Sequence, residues 1–244
     1  MRISVVIPMY NEEQGIEQSL TTLHEALLKA LDPADFEIVA VNDGSRDRTG
    51  ALVAALCEKL PRLRLIDLPQ NQGKGGALKA GMTAALGNFV LFTDSDLAYG
   101  TENVLSFLAA FEQGRGEAIL GSRAIAKKGY AGYSLTRKIL SRGYLLLIKL
   151  VAGFFYSDSQ CGIKGFERSL AHRLFGELET AGFAFDLEIL LSLKDQNATV
   201  YEMPVHVIHH GSSSVHLVRD SLRMFKDLLT IKKRRKERSK KSGK

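Results

Sequence analysis

The chain has 244 residues, of which 45% are hydrophobic and 25% are charged. This balance excludes a wholly disordered chain and predicts one compact α/β domain with a sizeable core. The only two cysteines, Cys57 and Cys161, exclude a disulfide framework and a cysteine-based zinc site. We therefore expect a reduced, cytosolic protein.

The net charge of +6 is concentrated at the carboxyl end of the chain. Residues 232–244 contain nine Lys or Arg and one acidic residue, so the remainder of the chain is close to neutral. Such a tail is typical of a solvated end, a nucleic-acid arm or an anchor on anionic lipid. Each basic residue near a lipid surface contributes roughly 1 kcal/mol. We favour the membrane surface as partner and expect no nucleic acid.

Two apolar segments bear on membrane insertion. The first, Val5-Val6-Ile7, is too short for the core of a secretion signal and is followed by Pro8. The second, residues 143–156, contains Lys149 and is shorter than the roughly 20 residues that span a bilayer. We therefore expect a peripheral protein on the cytoplasmic face of a membrane, with no spanning helix.

Short apolar runs alternate with helical patterns through the first half of the chain. The predicted strands are residues 3–9, 36–42, 63–68, 88–93 and 117–121, and the predicted helices lie near 13–31, 47–60, 74–86 and 101–112. This alternation predicts a mostly parallel sheet with helices on both faces. Ligands of such sheets bind beyond the carboxyl ends of the strands, and each predicted strand is followed there by a polar cluster.

The pattern changes after Arg123. A basic loop at 124–133 precedes a predicted helix at 134–156, a polar turn at 157–166, a helix near 185–196 and a strand-like segment at 199–208. An amphipathic helix follows from about residue 215. We therefore expect one folded domain at 1–214, an amphipathic helix at 215–231 and a basic tail at 232–244. Helix 134–156 has a basic start and an apolar end, which fits either ordinary core or a membrane surface, and we favour the latter.

Asp94-Ser95-Asp96 follows the predicted strand 88–93. Paired carboxylates at a strand end repel each other unless a hard cation such as Mg²⁺ or Mn²⁺ joins them. The same spacing also occurs in ordinary turns and helix caps. The pair therefore predicts a site for a metal-bound diphosphate, with a turn as the alternative.

Two further clusters fit a nucleotide. Asp43 precedes Gly44-Ser45 and could accept an imide N–H from a base such as uracil, while Glu12 could bind ribose hydroxyls; a helix cap is the alternative for Asp43. The segment 71–77 is glycine-rich and places Lys74 at the start of a helix, which suits phosphate. The chain has neither the P-loop spacing nor the dinucleotide fingerprint, so a dehydrogenase is disfavoured.

Together these motifs resemble the family-2 inverting glycosyltransferases, and more narrowly the branch that glycosylates polyprenyl or dolichyl phosphate. The resemblance covers about residues 3–215 and implies a single nucleotide-sugar-binding domain of the GT-A type. The motifs that carry it occur in the family's order: residues 5–12, 41–45, 71–74, 94–96, 121–123, 160–164 and 185–188.

The resemblance also implies roles for individual residues. Contacts to the donor correspond to Pro8, Tyr10, Glu12, Asp43, Lys74 and the segment Asp94-Ser95-Asp96, whose two aspartates hold the metal. Contacts to the acceptor correspond to Arg123, Arg137 and Ser141, and the catalytic carboxylate corresponds to Asp186. One departure is Ala98, where mannosyltransferase relatives have a glutamine that binds the metal, so one protein ligand is absent.

The expected reaction is inverting transfer of a hexose from a nucleotide sugar to a polyprenyl phosphate. Residues 158–164 resemble the glucosyltransferase members, which favours UDP-glucose over GDP-mannose. Transfer to a soluble glycan or protein hydroxyl, with Asp186 as general base, is an alternative. A noncatalytic membrane or nucleic-acid adaptor is another, and Ala98 is its best support. A sugar-1-phosphate nucleotidyltransferase would need a glycine-rich, arginine-containing loop after the first strand, which is absent.

Overall fold

A computed structural model describes residues 1–126, 153, 156–182, 184–208 and 229–235. The alternation of strands and helices predicted for the first half is confirmed. The strands are β1 Ile3–Met9, β2 Phe36–Asn42, β3 Leu63–Asp67, β4 Phe89–Phe92, β5 Ala118–Ser122, β6 Lys164–Glu167 and β7 Val200–Pro204. The helices are α1 Ile16–Ala30, α2 Thr49–Cys57, α3 Lys74–Ala84, α4 Thr101–Glu112, α5 Arg168–Gly176 and α6 Phe185–Asp195.

All seven strands form one sheet in the order β3-β2-β1-β4-β6-β5-β7. β1 pairs in parallel with β2 and with β4, β2 pairs in parallel with β3, and β5 pairs in parallel with β7. β6 is the exception, because it runs antiparallel between β4 and β5. The polar turn predicted at 157–166 therefore ends too late: its last three residues belong to a central strand, and the helix α5 that follows was not predicted.

The core lies on both faces of this sheet. Side chains alternate along β1, so that Val6 faces α3, α5 and α6 while Val5 and Ile7 face α1, α2 and α4. All seven residues of β1 are buried, which explains why its sequence is apolar except for Ser4, whose hydroxyl donates to Glu37 of β2. α1 shows the complementary helical spacing, burying Ile16, Leu20, Leu23 and Leu27. The result is a mostly parallel sheet with helices on both faces, as predicted.

Residues 229–235 are helical and contact the domain. Ile231 is buried in the core on the side of α6, and the guanidinium of Arg235 donates hydrogen bonds to Oγ of Ser192 at 2.8 Å and to the carbonyl of Leu191 at 3.0 Å. Arg235 also forms an ion pair with Asp195. The expected boundary between amphipathic helix and basic tail, at 231/232, therefore falls inside a helical segment that is bound to α6.

Several expected segments lie outside the described residues: the helix at 134–156 except for residues 153 and 156, most of the amphipathic helix at 215–231, and the tail beyond residue 235. Within the part of the chain that is described, no helix has both the length and the hydropathy to cross a membrane.

Candidate active site

Asp94 and Asp96, the acidic pair, lie in a tight turn directly after β4, which we call the acidic turn. The N–H of Leu97 donates to the carbonyl of Asp94 at 3.1 Å, and the N–H of Ala98 donates to Oδ1 of Asp96 at 3.0 Å. Leu97 has a φ of 48°, a left-handed conformation that turns the chain sharply. Both aspartates thus emerge at the carboxyl end of the sheet, as the sequence predicted. Ala98 contributes its backbone to the turn, and its methyl group cannot bind a metal.

Lys74 is brought to the acidic pair by the start of α3. Gly73 precedes it with a φ of 81°, and the N–H of Gly75 donates to the carbonyl of Ala181 at 2.7 Å. The ammonium of Lys74 forms an ion pair with Oδ1 of Asp94. Burial lowers the pKa of Lys74, but the charge of Asp94 and its hydrogen bond raise that pKa more, so the net shift is upward. The lysine is therefore a fixed cation beside the acidic turn.

Asp43 supports the glycine-rich loop that leads to Lys74. It is buried, and its two carboxylate oxygens accept the backbone N–H groups of Gln72 at 2.7 Å and Gly73 at 2.9 Å. Burial raises the pKa of Asp43, and these two hydrogen bonds oppose the rise. Asp43 therefore holds a loop that is distant in sequence, and it does not cap the helix α2 that follows it.

Glu12 reaches the same turn from the end of β1. Its N–H donates to Oγ1 of Thr49 at 2.8 Å, and its carboxylate accepts a hydrogen bond from the hydroxyl of Ser95. Burial raises the pKa of Glu12, the Ser95 hydrogen bond lowers it, and the nearby charge of Asp96 raises it further. Ser95 therefore links the expected ribose-binding residue to the expected metal-binding pair.

The other expected nucleoside contacts flank this cluster. Pro8 is buried in β1 opposite Val41 of β2, whereas the ring of Tyr10 is 38% exposed just beyond the strand end. An aromatic side chain that is exposed at a ligand-binding edge is available for stacking against a base. Tyr10 is thus placed to contact a ligand directly, and Pro8 to shape the strand end beneath it.

Arg123 follows β5, and its guanidinium is paired with Asp158. Nε donates to Oδ2 at 2.7 Å and Nη2 donates to Oδ1 at 2.9 Å, while the backbone N–H of Arg123 also donates to Oδ2 at 3.1 Å. Burial raises the pKa of Asp158, but the hydrogen bonds and charge of Arg123 bring it below its usual range. Asp158 was not recognised as a site residue from the sequence. The other two expected acceptor contacts, Arg137 and Ser141, lie outside the described residues.

Asp186 lies in the first turn of α6 and is paired with a buried lysine. Nζ of Lys164 donates to Oδ1 of Asp186 at 2.6 Å and to the carbonyl of Cys161 at 2.6 Å. Burial raises the pKa of Asp186, and the charges of Lys164 and Lys74 oppose the rise. Lys164 was also not recognised as a site residue, although it belongs to a motif that the resemblance singled out.

The donor atoms of the acidic turn fit a hard divalent cation. Burial raises the pKa of Asp96, the N–H of Ala98 lowers it, and the charge of Asp94 raises it further. A cation would relieve this repulsion, and carboxylate oxygens are the ligands that Mg²⁺ and Mn²⁺ prefer. No group of three or more His, Cys, Asp or Glu with metal-binding geometry occurs among the described residues. Asp94 and Asp96 would therefore share the ion with water or phosphate oxygens.

Comparison with known proteins identifies the family of the chain. The model of the family described as "Glycosyl transferase family 2" matches residues 4–175. The dolichyl-phosphate beta-glucosyltransferase of Dictyostelium discoideum is 32% identical over 241 residues, which cover 94% of this chain and 73% of that protein. The human dolichyl-phosphate beta-glucosyltransferase is 32% identical over 247 residues, covering 96% of this chain and 75% of that protein.

Solved structures show the same fold. Glucosyl-3-phosphoglycerate synthase from Mycobacterium tuberculosis, in complex with Mn²⁺, UDP and phosphoglyceric acid, superimposes with a TM-score of 0.70 at 21% identity, covering 94% of this chain and 78% of that one. Staphylococcus aureus TarS in complex with UDP-GlcNAc superimposes with a TM-score of 0.61 at 19% identity, covering 95% and 66%. These likenesses confirm the expected GT-A-type fold. The chain is an enzyme of glycosyl transferase family 2, in the branch of its dolichyl-phosphate glucosyltransferase relatives.

Proposed function

We propose that the chain transfers glucose from UDP-glucose to a polyprenyl phosphate, with inversion at the anomeric carbon. The observation that carries this proposal is the 32% identity to dolichyl-phosphate beta-glucosyltransferases over 94% of the chain. The site supports it chemically, because two carboxylates, a paired lysine and a glycine-rich loop surround one position at the carboxyl end of the sheet. The family membership leaves the noncatalytic adaptor without support.

On the donor side, Tyr10, Glu12 and Asp43 would hold the nucleoside, and Asp94 with Asp96 would hold Mg²⁺ or Mn²⁺. When bound, the ion supplies positive charge that stabilises the diphosphate as it leaves. Lys74 supplies a second positive charge at the same place without any proton transfer. Preorganised charge of this kind is usually the largest contribution to rate in such sites.

On the acceptor side, the enzyme has to position the acceptor phosphate and does not need to activate it. A phosphate monoester is already ionised near neutral pH, so its oxygen can attack the anomeric carbon directly. The bond from that carbon to the UDP oxygen breaks, and UDP leaves with the electron pair. We propose that Arg123, Arg137 and Ser141 position the acceptor, with Arg123 held by Asp158. Holding two reactants in the right geometry raises their effective concentration by several orders of magnitude.

The membrane surface is the remaining part of the proposal. A polyprenyl phosphate resides in a bilayer, so the enzyme has to work at the lipid surface. The basic residues beyond Arg235 supply attraction to anionic lipid, and the apolar end of segment 134–156 supplies contact with the acyl region. We propose a peripheral enzyme on the cytoplasmic face.

The donor and acceptor can be tested together. The full chain is incubated with UDP-glucose, UDP-GlcNAc or GDP-mannose and a short polyprenyl phosphate in detergent, with Mg²⁺, Mn²⁺ or EDTA, and products are identified by mass. We expect one added hexose, from UDP-glucose only, and none with EDTA. Product from GDP-mannose would identify a mannosyltransferase, and product only with a polyprenol or soluble glycan acceptor would contradict the phosphate assignment.

A further inference from the structure

Lys164 is a charged residue in the centre of the sheet. It is fully buried, and in β6 it lies between Phe92 of β4 and Leu120 of β5. Burying an ammonium group is costly unless the group is paired and its hydrogen bonds are satisfied. Both partners of Lys164 are at 2.6 Å, the carboxylate of Asp186 and the carbonyl of Cys161. An apolar side chain would fill this place without that cost, so the fold alone does not explain a lysine here.

The partner of this lysine reaches the site. The side chain of Asp186 is 12% exposed, so it is largely buried but reaches the protein surface, and its Oδ1 accepts the hydrogen bond from Lys164. It is close enough to interact electrostatically with Lys74 and Asp94. The buried pair thus connects the interior of the sheet to the acidic turn.

The start of α6 is held by a second carboxylate in the same motif. Glu188 is buried, and its two oxygens accept the backbone N–H groups of Glu179 at 3.1 Å and Thr180 at 2.9 Å. The next residue, Ala181, accepts the N–H of Gly75 in α3. The backbone of α6 is therefore tied to the loop that carries Lys74, and Lys164 fixes the Asp186 side chain on that backbone.

The segment before Lys164 also contacts the metal-binding turn. Gly162 lies so close to Asp94 that a Cβ at this position would be 2.0 Å from Oδ2. A side chain at this position would displace the Asp94 carboxylate. One short segment, residues 161–164, therefore touches Asp94 through Gly162 and Asp186 through Lys164, and it sets the spacing between the two carboxylates.

We propose that Lys164 is a positioning residue for the transfer reaction, holding the Asp186 carboxylate at a fixed place relative to Asp94. The inference rests on the proposed function, since it gives Asp186 a role beside the reacting groups. With an acceptor that is already ionised, a carboxylate held by a buried ammonium serves to orient the reactants and does not need to take up a proton.

The test uses the full-length variants Lys164→Met, Asp186→Asn and the double variant that carries both changes. Methionine has nearly the length of lysine and removes only the charge and the donor. Lys194→Met is the matched control, because Lys194 donates to the carbonyl of Gly153 from the far end of α6. For each protein we measure thermal unfolding, UDP affinity with Mn²⁺, and kcat and KM for transfer to the short polyprenyl phosphate.

We expect Lys164→Met and Asp186→Asn each to lower kcat about 100-fold, the size of effect that a small misplacement of reacting groups produces. UDP affinity and the KM for UDP-glucose should stay within about twofold, because Lys164 makes no contact with Glu12, Asp43 or Lys74. The double variant should regain melting temperature, since neither charge is left buried alone. It should not regain kcat, which separates positioning from a purely structural pair.

Two outcomes would overturn the inference alone: a folded Lys164→Met protein with wild-type kcat, or a double variant that recovers kcat together with stability. Absence of any product from the wild-type enzyme with polyprenyl phosphate would instead overturn the proposed function, and the positioning role with it. The activity of the wild-type enzyme therefore tests the proposed function, and the kcat of the variants relative to wild type tests the positioning role.

Discussion

The ammonium of Lys74 pairs with Oδ1 of Asp94, so one carboxylate of the acidic turn already has a cationic partner inside the protein. The two side chains are 23% and 31% exposed, which leaves the pair open to a ligand entering from solvent. A divalent ion that binds Asp94 has to compete with this lysine. Under the proposed function, a bound ion would take over Asp94 and leave the charge of Lys74 for the diphosphate.

Lys74→Met should therefore tighten Mn²⁺ binding in the absence of nucleotide and weaken UDP binding in its presence. Partly exposed ion pairs contribute about 0.2–1 kcal/mol, so the gain in Mn²⁺ affinity should be about one and a half to fivefold. Titration of free Mn²⁺ by electron paramagnetic resonance measures the first effect and calorimetry the second. Lys79→Met, on the same helix, is the control and should change neither. Unchanged Mn²⁺ affinity in a folded Lys74→Met protein would show that the lysine does not compete.

Asp96→Asn should nearly abolish transfer and leave the fold intact. The change keeps the shape and the hydrogen bond from the Ala98 N–H but removes the charge that the cation needs. Loss of one electrostatic element of this type lowers kcat by about 10²–10³-fold. The measurement is product formation at saturating UDP-glucose together with the melting temperature. Glu17→Gln, an exposed carboxylate in the first turn of α1, is the control. Near-normal turnover by folded Asp96→Asn with a retained metal requirement would remove Asp96 from the metal site.

The sequence predicted the parallel part of the sheet and the position of the acidic turn because both follow from local pattern. β1, β2 and β5 are wholly buried and mostly apolar, so each is visible in the sequence as a short hydrophobic segment. The acidic turn follows directly from the end of β4. β6 was not predicted, because a four-residue strand beginning with Lys164 and Gly165 has neither alternation nor β-branched residues. Its burial depends on β4 and β5, which are distant in sequence.

The same reason explains which site residues were not recognised. Lys164 pairs with Asp186, and Asp158 pairs with Arg123. The partners are far apart in the sequence, so no local pattern predicts these ion pairs. Glu188 lies in the motif at 185–188, but its role could not be predicted, since its contacts are to backbone N–H groups. The motif at 160–164 did contain a usable signal: Lys164 follows the apolar or small residues Cys161, Gly162 and Ile163, and a lysine in such a segment is a candidate for a buried ion pair.

Glu37 provides a prediction about acid stability. It is buried in β2, and its carboxylate accepts hydrogen bonds from Arg64 at 2.7 Å, from Ser4 at 2.6 Å and from the N–H of Leu86 at 2.7 Å. Burial raises the pKa of Glu37, but these bonds and the charge of Arg64 lower it more, to below its ordinary value of 4.5. A depressed carboxyl pKa stabilises the fold above the unfolded-state pKa, and this contribution is lost as the pH falls through the folded-state pKa.

Glu37→Gln should therefore lower the free energy of unfolding by about 1–3 kcal/mol at neutral pH, with the difference from wild type shrinking below about pH 4.5. Urea unfolding from neutral pH down to the lowest pH at which the wild type stays folded measures the difference. The control is Glu112→Gln, which removes the charge of the exposed partner of Arg2. It should lower the free energy of unfolding by less than Glu37→Gln does. A difference that is independent of pH would mean that Glu37 acts through packing and not through its charge.

The tail prediction depends on which of the basic residues are seen to contact the domain. Arg235 is bonded to Ser192, Leu191 and Asp195 of α6, whereas residues 236–244 add five further basic residues and one acidic residue. Two truncations separate these parts. Removal of 236–244 should weaken binding to anionic vesicles without changing the melting temperature, and removal of 232–244 should also lower the melting temperature, because the bonds of Arg235 to α6 are lost.

Salt should weaken vesicle binding of the full-length chain in the same direction, since exposed charges are screened over about 8–10 Å at physiological ionic strength. Transfer to a short, detergent-dispersed acceptor should survive removal of 236–244, because every candidate site residue precedes the cut. A variant in which 236–244 is replaced by a neutral segment of equal length controls for chain length. It should behave like the variant that lacks 236–244. If removal of 236–244 instead abolishes transfer to the dispersed acceptor while the melting temperature is unchanged, these residues take part in the active site and do not act only as a membrane contact.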